Sequence, residues 1–87
     1  MKKLGDSYSA NGNTYKLVLR DGNVCVFFNG SHYEVFIVSL KPAESVFGVP
    51  YPEREAVPSN EEWGQKGWTF RSKDRAMNKF NYLTIKN

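Results

Sequence analysis

Few side chains in this 87-residue sequence could do covalent chemistry, because it has one cysteine and one histidine, Cys25 and His32. A nucleophilic thiol needs a base within hydrogen-bond reach. The strand register predicted below puts His32 across from Phe27 and Cys25 across from Glu34, so the thiol and the imidazole do not meet. Cys25 also lies in an apolar run, which is typical of a small buried side chain. We therefore predict no Cys–His catalytic pair and a buried, slowly reacting thiol.

Carboxylate pairs and metal ligands give no stronger signal. The neighbours Glu53/Glu55 and Glu61/Glu62 are more typical of solvated charge than of an acid and base acting together. One cysteine and one histidine cannot form a structural zinc site, and no acidic run has the spacing of a calcium loop. The glycines form no phosphate-binding motif. We predict that the chain is not an enzyme, holds no metal or cofactor, and has no small-molecule substrate.

Length and composition predict one globular domain over residues 1–87. The chain is 40% hydrophobic, 15% aromatic and 24% charged, with a formal net charge of +3. This supplies enough apolar surface for one core, although a core of this size leaves only a few kcal/mol of net stability. No apolar run approaches the length of a membrane span. We expect no membrane association and a cytoplasmic location.

Three turn dipeptides organise the first half of the chain. Asn11-Gly12, Asp21-Gly22 and Asn29-Gly30 each separate apolar or alternating runs, and such dipeptides favour two-residue hairpin turns. They predict an antiparallel meander over residues 6–40, with strands at roughly Asp6–Ala10, Asn13–Arg20, Asn23–Phe28 and Ser31–Leu40.

Two-residue turns would also determine the two faces of the sheet. They pair Leu19 with Val24, Leu17 with Val26, and Val24 with Val35, so this face is predicted to be core. The opposite face mixes charged and aromatic side chains, which an ordinary core avoids. We expect it to be covered, either by residues 43–58 or by another molecule. It is the candidate binding face, and its residues are Lys16, Arg20, Phe27, His32 and Phe36.

The second half of the chain has three predicted parts. An acidic, proline-rich connector covers residues 42–58. Ser59 or Asn60 then begins a short helical turn near residues 60–65, followed by a short fifth strand at Trp68–Phe70, and both tryptophans, Trp63 and Trp68, are expected to be mostly buried. Apolar residues at helical spacing predict a helix over about 73–83 that packs on one sheet face. The fold class is α+β, with an antiparallel meander of four to five strands, and residues 59–83 hold the turn, last strand and helix.

Residues 51–83 resemble a known group of proteins. The stretches Tyr51-Pro-Glu-Arg-Glu-Ala-Val-Pro58 and Asn60-Glu-Glu-Trp-Gly-Gln-Lys-Gly-Trp-Thr-Phe70, followed by Ala76 and Phe80 in a helix, are similar to small uncharacterised proteins encoded by tailed bacteriophages or related mobile elements. The resemblance implies an accessory protein that binds a host component, located in the host cytoplasm if the chain is phage-encoded. It names no functional residue.

These observations favour a small non-enzymatic binding module. A half-apolar sheet face and a proline-bracketed acidic loop are typical of surfaces that bind a protein partner or a second copy of the chain. The alternative is nucleic-acid binding, through the basic C-terminal helix or through the aromatic and cationic face. The predicted register places those two surfaces on opposite sides of the sheet.

Overall fold

The computed structural model describes residues 3–86. Five antiparallel strands form the main sheet in the order β1-β2-β3-β4-β9, and one helix, α1, packs on it. This confirms the predicted α+β class. The bounds are β1 Ser7–Ala10, β2 Asn13–Asp21, β3 Val24–Phe28, β4 Tyr33–Ile37, β9 Gly67–Phe70 and α1 Lys73–Lys86. No helix in residues 3–86 is long and apolar enough to cross a membrane.

The three turn dipeptides produce three different connections. Asn11 and Gly12 both have positive φ, between the paired residues Ala10 and Asn13, as predicted. In the second hairpin Asp21 pairs with Val24, so the loop is Gly22-Asn23. Gly22 alone supplies the positive φ there.

The third connection is a four-residue loop, Asn29–His32, rather than the predicted two-residue turn. The Asn29 side chain explains the difference, because its Oδ1 accepts hydrogen bonds at 2.8 Å from the backbone N–H groups of both Ser31 and His32. A side chain that replaces backbone acceptors in this way stabilises a wider loop.

These turns correct the predicted register. Val24 pairs with Asp21 and Ile37, not with Leu19 and Val35. Both loops change the partner of each residue by two positions along the neighbouring strand. Because side chains alternate with a period of two, the faces of β3 and β4 are kept. A bulge in β2 then adds Val18 between the pairs Leu17–Phe27 and Leu19–Val26.

The bulge reverses the faces of the first part of β2. An extra residue in one strand turns every side chain beyond it to the other side of the sheet. Leu17 and Tyr15 therefore pack with Phe27, although Leu17 was predicted on the helix side. Lys16 pairs with Phe28 and lies on the helix side instead.

The helix-side core forms as predicted at β3 and β4 but not at β2, where Leu17 lies in the second core and Leu19 is 39% exposed. Val24, Val26 and Val35 are buried against three residues of the helical stripe, Ala76, Phe80 and Leu83. α1 runs to Lys86, three residues beyond the predicted end.

A second core covers the opposite sheet face. Its buried members are Tyr15, Cys25, Phe27, Phe36 and Val38, and they pack against Leu4, Tyr8, Val57 and Trp63 among others. The chain therefore covers this face itself, with the N-terminal strand on one side and residues 57–63 on the other.

The two tryptophans pack on opposite faces of the main sheet, and both are half-buried rather than mostly buried as predicted. Trp68 lies in β9 and packs with the helix-side core, whereas Trp63 packs on Phe36 in the second core. Trp63 follows a short 3₁₀ turn, Asn60–Glu62, for which Ser59 is the N-cap. Ser59 is one of the two predicted caps, and the turn is shorter than the predicted residues 60–65. The Ser59 N–H donates to Glu62 Oε1 at 3.0 Å.

The proline-rich connector contains regular structure that the sequence did not predict. Strand β5 (Ser39–Lys41) pairs with β8 (Arg54–Ala56), and β6 (Glu44–Val46) pairs with β7 (Val49–Tyr51). The two ladders follow one another along a single extended hairpin, residues 39–56, which we call the arm. The predicted strand 31–40 is divided between β4 and the first strand of this arm.

Candidate protein-interaction surface

The outer part of the arm is an exposed apolar hairpin. Every residue from Pro42 to Glu53 is exposed. Four large apolar side chains lie there: Val46, Phe47, Val49 and Tyr51, with exposures of 38%, 101%, 51% and 44%. Single exposed apolar residues are ordinary, but a contiguous group on one element is typical of a binding site.

Three of these side chains share one face of the hairpin. Val46 pairs with Val49, and Tyr51 pairs with Glu44, two positions further along the ladder. Because side chains alternate along a strand, these four residues point to one side and Ser45 and Pro50 to the other. The hairpin therefore has one apolar face and an aromatic tip.

The tip is a tight turn with an unusual residue. Phe47 and Gly48 have φ of 51° and 79°, and they stand between the paired residues Val46 and Val49. Turns with two positive φ values favour Asn-Gly or Asp-Gly. A bulky non-glycine residue in this conformation is an outlier, and its Cβ crowds the following carbonyl.

The base of the arm is attached to the sheet by a partly buried ion pair. Arg20 Nη1 and Nη2 donate to Glu55 Oε1 and Oε2, each at 2.9 Å, and the Leu4 backbone N–H donates to Glu55 Oε1 at 2.9 Å. The Glu55 side chain is only 6% exposed. The hydrogen bonds from the Arg20 guanidinium lower the pKa of Glu55 to about 2.

A second carboxylate connects the start of the arm to the 3₁₀ turn. Glu62 accepts hydrogen bonds from the Ser39 hydroxyl and the Ser59 backbone, and Lys66 Nζ lies 3.4 Å away. The hydrogen bond from the Ser59 backbone is the largest cause that lowers the pKa of Glu62, to about 2. Glu55 and Glu62 therefore act as structural anions.

The five residues of the predicted binding face do not form one open surface. Phe27 and Phe36 are 0% exposed and stack on each other in the second core, with ring centroids 5.4 Å apart. Arg20 is paired with Glu55. Lys16 lies on the opposite side of the sheet because of the β2 bulge, which corrects its predicted position.

His32 belongs to a polar network that the sequence analysis did not identify. Its Nε2 lies 3.3 Å from Oε1 of the buried Glu34, and Thr69 Oγ1 donates to Glu34 Oε2 at 2.7 Å. Trp63 Nε1 in turn donates to Thr69 Oγ1 at 3.2 Å. Glu34 pairs with Phe27 across the sheet, not with Cys25. No local pattern reveals this network, because its members are brought together by the pairing of β4 with β9.

The neighbouring depression, of about 220 Å³, is lined by Tyr8, Tyr15, Glu34, Asn60 and Trp63 among others. Burial raises the pKa of the Tyr8 hydroxyl. The Glu34 carboxylate already has partners within the chain, so we assign this cluster a structural role in holding β9 and the 3₁₀ turn to the sheet.

The Cys25 thiol is a packed core group rather than a reactive nucleophile. Cys25 is 0% exposed, which confirms its predicted burial. That burial raises the pKa of its thiol to about 11, so the nucleophilic thiolate is scarce near neutral pH. Within residues 3–86, no three His, Cys, Asp or Glu side chains are grouped so that they could hold a metal ion.

No protein-family model, curated protein or solved structure matches this chain.

Proposed function

We propose that this chain is a non-enzymatic binding module that engages a protein partner through the tip of its arm. The observation that carries the proposal is Phe47, a large aromatic side chain that is fully exposed and held in a left-handed backbone conformation. Strain of this kind is concentrated at functional sites.

The fold itself gains little from phenylalanine at this position. A left-handed conformation costs a non-glycine residue about 1–2 kcal/mol, and asparagine tolerates it better. Burial does not offset that cost, because the Phe47 side chain is fully exposed to solvent. An aromatic residue that lowers stability and remains exposed is best explained by a contact made with another molecule, where aromatic side chains often dominate the binding energy.

The charge of the hairpin favours a protein over a nucleic acid or an anionic membrane. Residues 44–53 contain two carboxylates, Glu44 and Glu53, and no cation. Arg54 Nη2 lies 3.7 Å from Glu44 Oε1 and offsets that charge, so a polyanion would be repelled by Glu53. An apolar cleft on a protein would accept Phe47 together with the Val46, Val49 and Tyr51 face. The resemblance of residues 51–83 to small phage proteins makes a bacterial host protein the first class of partner to test.

The test replaces Phe47 with asparagine. Phe47→Asn should leave the fold intact and raise the free energy of unfolding by about 1 kcal/mol, because asparagine suits the turn. It should weaken partner binding by at least about thirtyfold, equivalent to about 2 kcal/mol. Ile85→Asn is the matched control, because Ile85 is also an exposed apolar residue, at 86%, but lies on α1.

The partner itself is sought by photo-cross-linking. A benzoylphenylalanine at position 47 should form one reproducible adduct with a cellular protein, and the same group at position 85 should not. Loss of the adduct with Tyr51→Ser would support the apolar face as part of the contact. A self-adduct at position 47, or a dimer in sedimentation that Phe47→Asn dissociates, would show self-association instead. Absence of any specific adduct would contradict the proposal.

A further inference from the structure

The register places an aromatic row on the helix side of the sheet. Lys16 pairs with Phe28, Phe28 with Tyr33, and Tyr33 with Phe70, so these four residues lie side by side across β2, β3, β4 and β9. Paired residues in antiparallel strands point to the same face. The β2 bulge is what brings Lys16 to the end of this row.

The aromatic members of the row are all partly accessible. Phe28, Tyr33 and Phe70 are each half-buried. Phe28 and Tyr33 stack with centroids 4.4 Å apart and an interplanar angle of 28°. One face of each ring is occupied by this stacking contact. Lys16 lies next to Phe28 at one end of the row, and Phe70 lies next to Tyr33 at the other.

A shallow depression continues the row along the helix. It has a volume of about 400 Å³ and is lined by Phe70, Arg75, Asn78, Lys79 and Tyr82. Lys79 Nζ lies 3.9 Å from the centroid of the Trp68 ring. The depression therefore combines aromatic surface with two cations and one amide.

The charge around this surface is strongly positive. Residues 71–79 carry Arg71, Lys73, Arg75 and Lys79 against the single carboxylate of Asp74. Lys16 adds a fifth cation at the far end of the row. The row of Phe28, Tyr33 and Phe70 lies on the same side of the sheet as the basic helix. The aromatic face predicted opposite the helix, with Phe27 and Phe36, does lie on the other side and is buried there.

We propose that this surface, which we call the aromatic platform, binds single-stranded nucleic acid. Aromatic rings provide stacking surfaces for unpaired bases, and lysine or arginine side chains beside them neutralise phosphates. Asn78 can donate to and accept from a base edge. A duplex is excluded by the same chemistry, because its bases are already stacked on one another. This site is separate from the acidic hairpin of the arm.

Fluorescence anisotropy with a labelled thymidylate oligomer of about ten nucleotides tests the proposal. Phe28→Ser should weaken binding by about tenfold, since stacking on one aromatic side chain is worth a factor of this order. Lys16→Gln and Arg75→Gln should each weaken binding and reduce the slope of log affinity against log salt by about 0.7. Lys16 and Arg75 are exposed, so their variants test the surface even if Phe28→Ser is poorly folded.

Two control variants distinguish binding at the aromatic platform from non-specific attraction of the oligonucleotide to a positively charged protein. Lys41→Gln removes a cation from the arm, and Phe47→Asn removes an exposed aromatic ring; neither should alter oligonucleotide binding. A uridylate oligomer compared with a deoxyuridylate oligomer, which has the same base, reports whether the 2′-hydroxyl is also read.

Three outcomes would overturn the proposal: equal affinity for duplex DNA, equal displacement by polyglutamate of matched charge, or unchanged binding by Lys16→Gln and Arg75→Gln. Displacement by polyglutamate would indicate an acidic protein as the ligand of this surface.

Discussion

The Arg20–Glu55 pair should make a pH-dependent contribution to stability that one substitution removes. Glu55→Gln keeps the size of the side chain and deletes its charge. In the folded chain the Arg20 hydrogen bonds lower the pKa of Glu55 from 4.5 to about 2. The carboxylate form is therefore favoured by folding. Its contribution is fully present above the unfolded pKa and is lost as the pH falls through the folded value.

The expected magnitude follows from these two pKa values. Each unit of difference between the folded and the unfolded pKa corresponds to about 1.4 kcal/mol. The full difference, from 4.5 to about 2, therefore sets an upper bound of about 3.5 kcal/mol. Arg20 is 22% exposed, and water screens part of the interaction. We therefore expect Glu55→Gln to lower the free energy of unfolding by about 1–2 kcal/mol at pH 7.

Urea unfolding, followed by tryptophan fluorescence between pH 7 and pH 2.5, measures the free energy of unfolding of both proteins. The difference between the wild-type chain and Glu55→Gln should be largest above about pH 5 and should shrink steadily as the pH falls toward 2. Glu62 titrates in the same window but is common to both proteins, so the difference isolates Glu55. Glu53→Gln, an exposed carboxylate two residues earlier, is the control. A difference between wild type and Glu55→Gln that stays constant with pH would refute the electrostatic account.

Two further outcomes test the packing of the second core. A Cβ at Gly67 would overlap the Trp63 ring. Gly67→Ala should therefore lower the free energy of unfolding by about 1–3 kcal/mol in the same urea assay. Gly5→Ala is the control and should have little effect, because a Cβ there meets only the Ser7 carbonyl, at 4.0 Å. An unchanged Gly67→Ala midpoint would mean that Trp63 can move away at no cost. Cys25 should react with a thiol reagent only slowly in the native chain and rapidly in urea; rapid native labelling would contradict its burial.

The elements of this protein could be predicted from the sequence wherever a local cause sufficed. Asn11-Gly12 produced its turn because both residues accept positive φ at little cost. The stripe of Ala76, Phe80 and Leu83 placed α1 on the Val24, Val26 and Val35 face because helical spacing puts those side chains on one side. Ser59 or Asn60 was predicted to begin a short helical turn, and Ser59 does so, because a capping residue acts on the backbone that follows it directly.

The position of the binding surfaces depended on tertiary structure. A single extra residue in β2 moved Lys16 from the face of Phe27 to the face of Phe28, and no local feature of Leu17-Val18-Leu19 specifies a bulge. The pairing of β4 with β9, distant in sequence, brought Phe70 beside Tyr33 and Thr69 beside Glu34. The arm was not predicted because Phe47-Gly48 is not a usual hairpin turn, and its strands are only three residues long. Local sequence determines which backbone conformations have a low free energy in each segment, whereas long-range strand pairing determines which side chains become neighbours.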